Sequence, residues 1–384
     1  MLKKIGCFGG EKFVDFGGLI FVNIYVNVNK VMNYATLKDI ARLAHVSHTT
    51  VSRVINNRPG VKAATKQRIL QLVKELDYQP NLVARSLVVR RSKNLGMIIT
   101  TIRNPFYLEL AKGIEDTARS FGYNVILCCT NYDLSLEGEH IRELKRRGVD
   151  GIILTSAQIK DGHVAALAHE GFPLVLVNRR VLDPDLSTKV DYIGINNVKG
   201  GEMALEHLIK LGHRRIGIIR GSLESSVTVE RMEGACRALT KYGISLEDDL
   251  VFGGDYLKGT GYEAAKRFLS LPNPPSAIFS LNDYMALGVY DALMEQGVRV
   301  PEDMALLGFN DIEFASLKMV GLSTISQKKY TLGSMAVRRL MERIEGAQAG
   351  REWILEPELI IRKSCGYTLR TIGTIEQDKE KRKA

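Results

Sequence analysis

The chain has 384 residues, 45% of them hydrophobic and 25% charged, which is ordinary for a soluble protein of two or three domains. Its formal charge of +10 is concentrated: between Ala35 and Arg91 eleven Lys and Arg stand against Asp39, Glu75 and Asp77, a local +8. No apolar run reaches the roughly 18 residues that span a bilayer, so no membrane partner is expected.

The best apolar run, residues 19–28, is broken by Asn23 and Asn27 and lacks a signal-peptide cleavage pattern. Cys7, Cys128, Cys129, Cys236 and Cys365 form no CxxC pair and have no His at ligand spacing. They read as reduced thiols of a cytoplasmic protein, with no metal and no cofactor expected.

Residues 1–31 mix Gly pairs, Phe, Val and Asn without a steady period and end before Met32. They are expected to be a mis-assigned or disordered extension, with Met32 as the true start. The competing reading is a genuine arm with a strand at 21–28. From Asn33 the pattern tightens. Thr36 and Asp39 read as a capping box that opens a first helix, with Leu37, Ile40, Ala41 and Ala44 inward. His45 and Val46 make a turn, and Ser47 caps a second helix.

On that second helix Val51, Val54 and Ile55 face in, while His48, Thr49, Ser52, Arg53 and Asn56 face out. A helix fits the major groove with its first residues at the base edges. His48 and Thr49 are therefore the base-reading candidates, with Arg53 able to fork onto a guanine. A third helix follows from about Ala63 to Asp77, with Ile69, Leu70, Leu72, Val73 and Leu76 as core. Lys62 stands at its N-cap, where a Ser or Asp would serve better. The helix-turn-helix domain thus covers residues 35–78. A hinge and linker follow at 79–92, where Pro80 stops the third helix and Asn81 can cap a short helix that forms only against a partner or DNA.

Beyond Arg91 short apolar strands alternate with amphipathic helices. Strands are expected at 95–101, 124–130, 150–155, 173–178, 215–220, 276–281 and 304–309. Helices are expected at 107–121, 200–211, 231–242, 261–271 and 284–296. This alternation predicts parallel sheets covered by helices, in two doubly wound lobes with a ligand at the strands' carboxyl ends. The effector-binding and dimerisation domain spans 93–370, and the charged tail 371–384 reads as disordered. Helical positions 207–211 and the helices near Leu110 and Val289 are candidate dimer faces.

Three strings carry a family resemblance: residues 35–41, Ala-Thr-Leu-Lys-Asp-Ile-Ala; Val46-Ser47 followed by residues 50–56, Thr-Val-Ser-Arg-Val-Ile-Asn; and Tyr78, Pro80-Asn81 and residues 84–87, Ala-Arg-Ser-Leu. They resemble the headpiece and hinge of the lactose-repressor and galactose-repressor family of bacterial transcription regulators, which includes the purine repressor. The resemblance continues to about residue 367. It implies an all-α helix-turn-helix headpiece followed by two α/β doubly wound lobes resembling type I periplasmic binding proteins. It also implies a homodimer on a pseudo-palindromic operator in double-stranded DNA. Asn81 and Arg85 belong to the implied DNA-binding set, and Leu87 is the implied minor-groove wedge.

The resemblance further implies a small-molecule effector between the lobes. Arg231 aligns with an arginine that hydrogen-bonds it, Asn282 with a polar contact at a strand end, and Tyr256 with an aromatic that stacks on its ring. Phe106 faces the same cleft. Asn310 and Asn178 stand where aspartates are common. With Arg231 and Arg179 nearby, those changes make the site less hostile to an anion. A sugar or sugar derivative is expected, a sugar phosphate or acid among them, ahead of a nucleobase.

An effector that prefers one lobe arrangement shifts operator affinity by its differential binding, typically about 1–3 kcal/mol. Whether that means induction or corepression is open. The rival readings are a free solute-binding protein, which would have no basic headpiece, and an enzyme, for which no GxSxG, Walker A or GxGxxG string is present. A regulator answering to a phosphorylated carrier protein remains a third.

Overall fold

The computed structural model describes residues 36–78 and 91–367, together with two three-residue strands near the N-terminus. The chain divides into two units, Met1–Val88 and Val89–Ala384. The short strands, β1 (Gly6–Phe8) and β2 (Glu11–Phe13), pair antiparallel inside the segment expected to be disordered or mis-assigned. The strand considered at 21–28, the hinge positions 79–90 and the tail 371–384 lie outside the described residues.

Three helices build the headpiece: α1 (Leu37–Leu43), α2 (His48–Ile55) and α3 (Ala63–Glu75). The capping box forms as the residue types require: Thr36 Oγ1 accepts from the Asp39 amide at 3.3 Å and Asp39 Oδ2 accepts from the Thr36 amide at 3.0 Å. Ser47 Oγ accepts from the Thr50 amide at 3.2 Å and starts α2. His45 turns the chain between the helices at φ 49°, a left-handed conformation. Lys62 gives α3 no side-chain cap.

Ile40, Ala41, Ala44, Val51, Val54, Ile69 and Tyr78 form one small core, with Leu37, Val46, Ile55, Leu72, Val73 and Leu76 packed half-buried on it. Leu70, expected in that core, is 45% exposed. A single helix face cannot turn both Ile69 and its immediate neighbour inward.

The second unit begins before residue 93. Arg91 Nη2 donates to the Ile344 carbonyl at 3.2 Å and the Ser92 amide donates to Asp150 at 2.9 Å, so both residues belong to it and not to the linker. Its first lobe runs β3 (Asn94–Ile99), α4 (Phe106–Ser120), β4 (Asn124–Cys129), α5 (Leu134–Arg146), β5 (Gly151–Leu154), α6 (Gly162–His169), β6 (Leu174–Val177), α7 (Pro184–Ser187) and β7 (Asp191–Ile195). The second lobe runs α8 (Asn197–Lys210), β8 (Ile216–Arg220), α9 (Ser226–Lys241), β9 (Val251–Gly253), α10 (Lys258–Leu269), β10 (Ala277–Ser280), α11 (Asp283–Glu295), β11 (Ala305–Asn310) and β12 (Ser323–Ser326).

The chain then returns to the first lobe with α12 (Lys329–Ile344) and β13 (Glu352–Leu355), and back to the second with β14 (Glu358–Ile360). The sheets have the orders β13-β7-β6-β5-β3-β4 and β14-β12-β11-β10-β8-β9, parallel except for β14. One buried cluster runs continuously through both lobes, from Leu95 and Ile99 to Phe309 and Leu340.

Three helix pairs lie unusually close because glycines face backbone at each crossing. A Cβ on Gly201 would sit 2.1 Å from the Arg231 carbonyl oxygen, and one on Gly234 1.9 Å from that of Val198, across α8 and α9. Gly261 and Gly288 do the same for α10 and α11, and Gly113 and Gly333 for α4 and α12. Leu110 and Val289 are fully buried inside their own chain. They therefore pack the lobes, and any dimer face on those helices lies on other residues.

Candidate nucleic-acid interface and effector cleft

The outer face of α2 carries most of the headpiece candidates. His48, Thr49, Arg53 and Asn56 are exposed and Ser52 is half-buried, because Val51 and Val54 take the inner face. His48 and Thr49 occupy the first turn, beside the backbone amides that the helix leaves without helical partners. Thr49 Oγ1 lies 3.1 Å from Ser47 Oγ. Asn56 is the C-cap of α2, and its Nδ2 donates to the Ser52 carbonyl at 2.8 Å. That commits part of the side chain to ending the helix. Asn81, Arg85 and Leu87 lie outside the described residues.

In the second unit, Phe106, Arg179, Arg231, Tyr256, Asn282 and Asn310 all line one cavity, with Asn104, Tyr107, Tyr132, Asn178 and Val227. The topology explains the convergence. Asn178 and Arg179 follow β6, Tyr256 follows β9, Asn282 follows β10 and Asn310 ends β11, so these residues arrive at the carboxyl ends of parallel strands. Asn178, Tyr256 and Asn310 have φ of 67°, 67° and 124°. Asn tolerates such angles, but a tyrosine there is strained and is held by its surroundings. Tyr256 hydrogen-bonds through its hydroxyl to Thr228, and its carbonyl accepts from Asn282 Nδ2 at 3.0 Å.

Each candidate is positioned differently. Arg231 is 2% exposed, donating from Nε to Asn197 Oδ1 at 2.9 Å and from Nη1 to the Leu281 carbonyl at 2.6 Å. Its guanidinium lies 3.6 Å above the centre of the Phe309 ring, and burial pulls its pKa down to about 10. Asn282 caps α11, its Oδ1 accepting from the Met285 amide at 2.7 Å. With Nδ2 also engaged, it orders the cavity wall more than it offers free groups. Asn310 Oδ1 accepts from Gln327, and its carbonyl accepts from Lys329 Nζ at 2.9 Å.

Arg179 is 6% exposed, with its guanidinium 5.2 Å from the Tyr256 ring centre and 5.7 Å from that of Tyr132. Its Nε and the Asn178 Oδ1 have no hydrogen-bond partner among the described residues. The adjacent Arg180 is spent structurally, donating to Glu230 at 2.7 Å and lying 3.3 Å from Glu352. Arg179 also lines a second chamber beside the first, with Tyr132, Glu137, Ser156, Gln158 and Ser225. Ser225 is 1% exposed, with Oγ unpartnered. Burial and the charge of Asp161 push the Glu137 carboxyl up to about 8.

Sequence reasoning missed Tyr107, Tyr132 and this second chamber. Tyr107 was legible as the neighbour of Phe106 on a helix start. Tyr132, at φ 66° between β4 and α5, belongs to no motif.

Comparison with known proteins fits both halves. Residues 92–363 match the family described as periplasmic binding proteins and sugar binding domain of LacI family, and residues 36–81 match bacterial regulatory proteins, lacI family. The chain belongs to the LacI family. It is a DNA-binding transcription regulator with an effector-binding domain.

Curated relatives of the family include the HTH-type transcriptional repressor PurR of Mannheimia succiniciproducens, 36% identical over 86% of this chain and 98% of that protein. PurR of Haemophilus influenzae (strain PittEE) is 38% identical over the same shares. Among solved structures, the lac repressor dimer bound to operator and the anti-inducer ONPF has a TM-score of 0.77 at 26% identity, covering 86% of this chain and 99% of that one. The complex of the transcriptional regulator CelR with cellobiose has a TM-score of 0.64 at 30% identity over the same shares. No helix among the described residues is long and apolar enough to cross a membrane.

Proposed function

We propose that the protein is a cytoplasmic homodimeric repressor, without enzymatic activity, that binds a pseudo-palindromic operator through α2 of each copy. Asn81, Arg85 and Leu87 complete the contact from the hinge. The effector is a sugar derivative carrying an anionic group, a sugar phosphate or sugar acid. The observation that carries this reading is Arg179: a buried guanidinium with an unpartnered Nε, aimed between two tyrosine rings at the wall of the cavity. A buried guanidinium that makes no ion pair among the described residues is costly, and an anionic ligand offsets that cost. Asn178 and Asn310 supply amides where a carboxylate would repel such a ligand.

Arg231, Asn282 and Asn310 define the polar rim of the effector site, while Phe106 and Tyr256 supply flat apolar walls. Four rings around one small cavity, those of Phe106, Tyr107, Tyr132 and Tyr256, favour a nucleobase as the second reading.

The test is operator binding by the full chain at several salt concentrations, with and without sugars, sugar phosphates, sugar acids and purines. Binding to a palindrome that weakens steeply with salt, shifted roughly 5–150-fold by an anionic sugar, supports the proposal. Calorimetric binding of neutral sugars but not of their phosphorylated forms ends the anionic reading. A response to purines alone establishes the second. Specific DNA binding that no compound alters points to a protein co-regulator, and absence of specific DNA binding overturns the whole reading.

A further inference from the structure

Glu137, Asp161 and His163 come together on the first lobe, with one potential ligating atom of each lying within 4.8 Å of the others. Glu137 is in the first turn of α5, Asp161 is the N-cap of α6, and His163 is in the first turn of α6. Glu137 is 1% exposed, and its Oε1 has no hydrogen-bond partner among the described residues. The atom it faces, His163 Nδ1, is 3.5 Å away and also unpartnered. His163 Nδ1 lies 4.0 Å from Asp161 Oδ1.

We propose that these three side chains bind a divalent first-row transition-metal cation, with Zn2+ the best fit. Two carboxylates and an imidazole form a donor set of that preference. Ligand atoms about 2.0–2.1 Å from a tetrahedral metal lie about 3.4 Å apart, close to the Glu137–His163 spacing. At 3.5 Å neither atom makes a hydrogen bond to a described residue, so both are free to face a cation. The surrounding contacts hold the ligands in place. Asp161 Oδ1 accepts the His163 and Val164 amides, each at 3.0 Å, and Ser156 Oγ donates to Glu137 Oε2.

Gly138 completes the cradle. A Cβ there would sit 2.5 Å from His163 Nε2, so the missing side chain leaves room for the imidazole beside Glu137. Glu137 also lines the chamber that Arg179 lines. A cation held there would sit beside that chamber, its charge adding to that of Arg179.

The test is calorimetric titration of ZnCl2 into chelator-treated full-length protein, with MgCl2 as a parallel titrant. We expect one Zn2+ per chain, bound far more tightly than Mg2+ and weakened more than about tenfold by His163→Ala and by Glu137→Gln. His207→Ala, remote from the cluster, is expected to keep the site. Co2+ gives a second readout: its visible spectrum in the wild-type protein is expected to change in His163→Ala even where Glu137→Gln fails to fold. No Zn2+ binding overturns the proposal, as does binding unchanged in His163→Ala, binding lost only in His207→Ala, or equal affinity for Mg2+.

Discussion

In the headpiece, His48, Thr49 and Arg53 stand exposed on a helix whose inner face is held by Val51 and Val54, whereas Arg179, Arg231 and Tyr256 around the cavity are all less than a tenth exposed. The candidate recognition residues of the two regions stand in opposite settings. A DNA groove is brought to a finished surface, so side chains proposed to read it can stay in water over a small core. An effector is surrounded, so its contacts must be buried before it arrives. The candidate contacts in the cavity are each held by something else: Asn197 for Arg231, Thr228 for Tyr256, the α11 amide for Asn282. Substitutions in the headpiece should therefore separate affinity from stability, and those in the lobes should mix the two.

The strongest challenge to that contrast is Gly261→Ala in the lobes. Its Cβ would meet the Met285 carbonyl oxygen at 1.8 Å, a backbone atom that cannot swing aside. The helices must part, and we expect chemical denaturation to show a loss of more than about 3 kcal/mol, at the upper end of overpacking costs. A loss under about 1 kcal/mol would show that the lobes yield more readily than their glycine crossings indicate.

Next in size is Asp283, buried at the start of α11, where it accepts from Thr324 Oγ1 at 2.6 Å and from the Ile312 amide at 2.9 Å. Burial outweighs those bonds and raises its pKa from 3.8 to about 6. The folded protein thus holds this proton more tightly than the unfolded chain. The stability it contributes is complete below about pH 4 and is lost as pH rises through about 6, amounting to at most about 3 kcal/mol. Asp283→Asn keeps an acceptor for the Ile312 amide and never ionises. It should gain on the wild type by up to that amount between pH 4 and 7.5, as followed by denaturation across that range. A constant difference between the two proteins would show that Asp283 ionises normally.

Legibility differs between the regions for a related reason. The headpiece was readable almost residue by residue because its information is local: Thr36 with Asp39, Ser47 with the Thr50 amide, and apolar residues at helical spacing on α1 and α2. Only Leu70 was misplaced. In the lobes, periodicity located seven strands and five helices but left out β7, β9, β12, β13 and β14, the helices α5, α6 and α7, and the longest of the omitted elements, α12. That helix buries Lys329 and Arg339, the latter paired with Asp191 at 3.0 Å, so charged residues interrupt its inner face. The crossings to β13 and β14 depend on pairings from β7 and β12, which no local pattern encodes. The six effector-site candidates came from resemblance, and the fold brings all six to one cavity. What could not be read was the division of labour: Arg179 faces the cavity while Arg180 serves Glu230, and Asn282 spends its side chain on capping. Glu137 and His163 meet through tertiary packing alone.

On the exposed face of α2 the contrast predicts a clean separation. Arg53→Ala should leave headpiece stability within about 0.5 kcal/mol, because the side chain is exposed and forms no ion pair among the described residues. Operator affinity should fall by about 1–3 kcal/mol, with discrimination relaxed at one base pair in each half-site. Binding titrations against a set of single-base operator variants would show this. A loss uniform over all sequences would make Arg53 a phosphate contact.

The smallest effect is a gain. α3 starts at Lys62 without a side-chain cap, which leaves its first amides to solvent. Lys62→Ser supplies an acceptor at a residue whose φ of −59° and ψ of 141° already suit an N-cap. Thermal or denaturant unfolding should show about 0.5–1 kcal/mol of added stability, since exchanging a non-capping residue for Ser at this position is typically worth about that much. If operator affinity falls in the same variant and the loss shrinks with salt, Lys62 was kept for a phosphate at the expense of its helix. In that case even the headpiece, at this one position, trades stability for recognition as the lobes do. If affinity is unchanged, the missing cap is simply tolerated and the separation between the two regions holds.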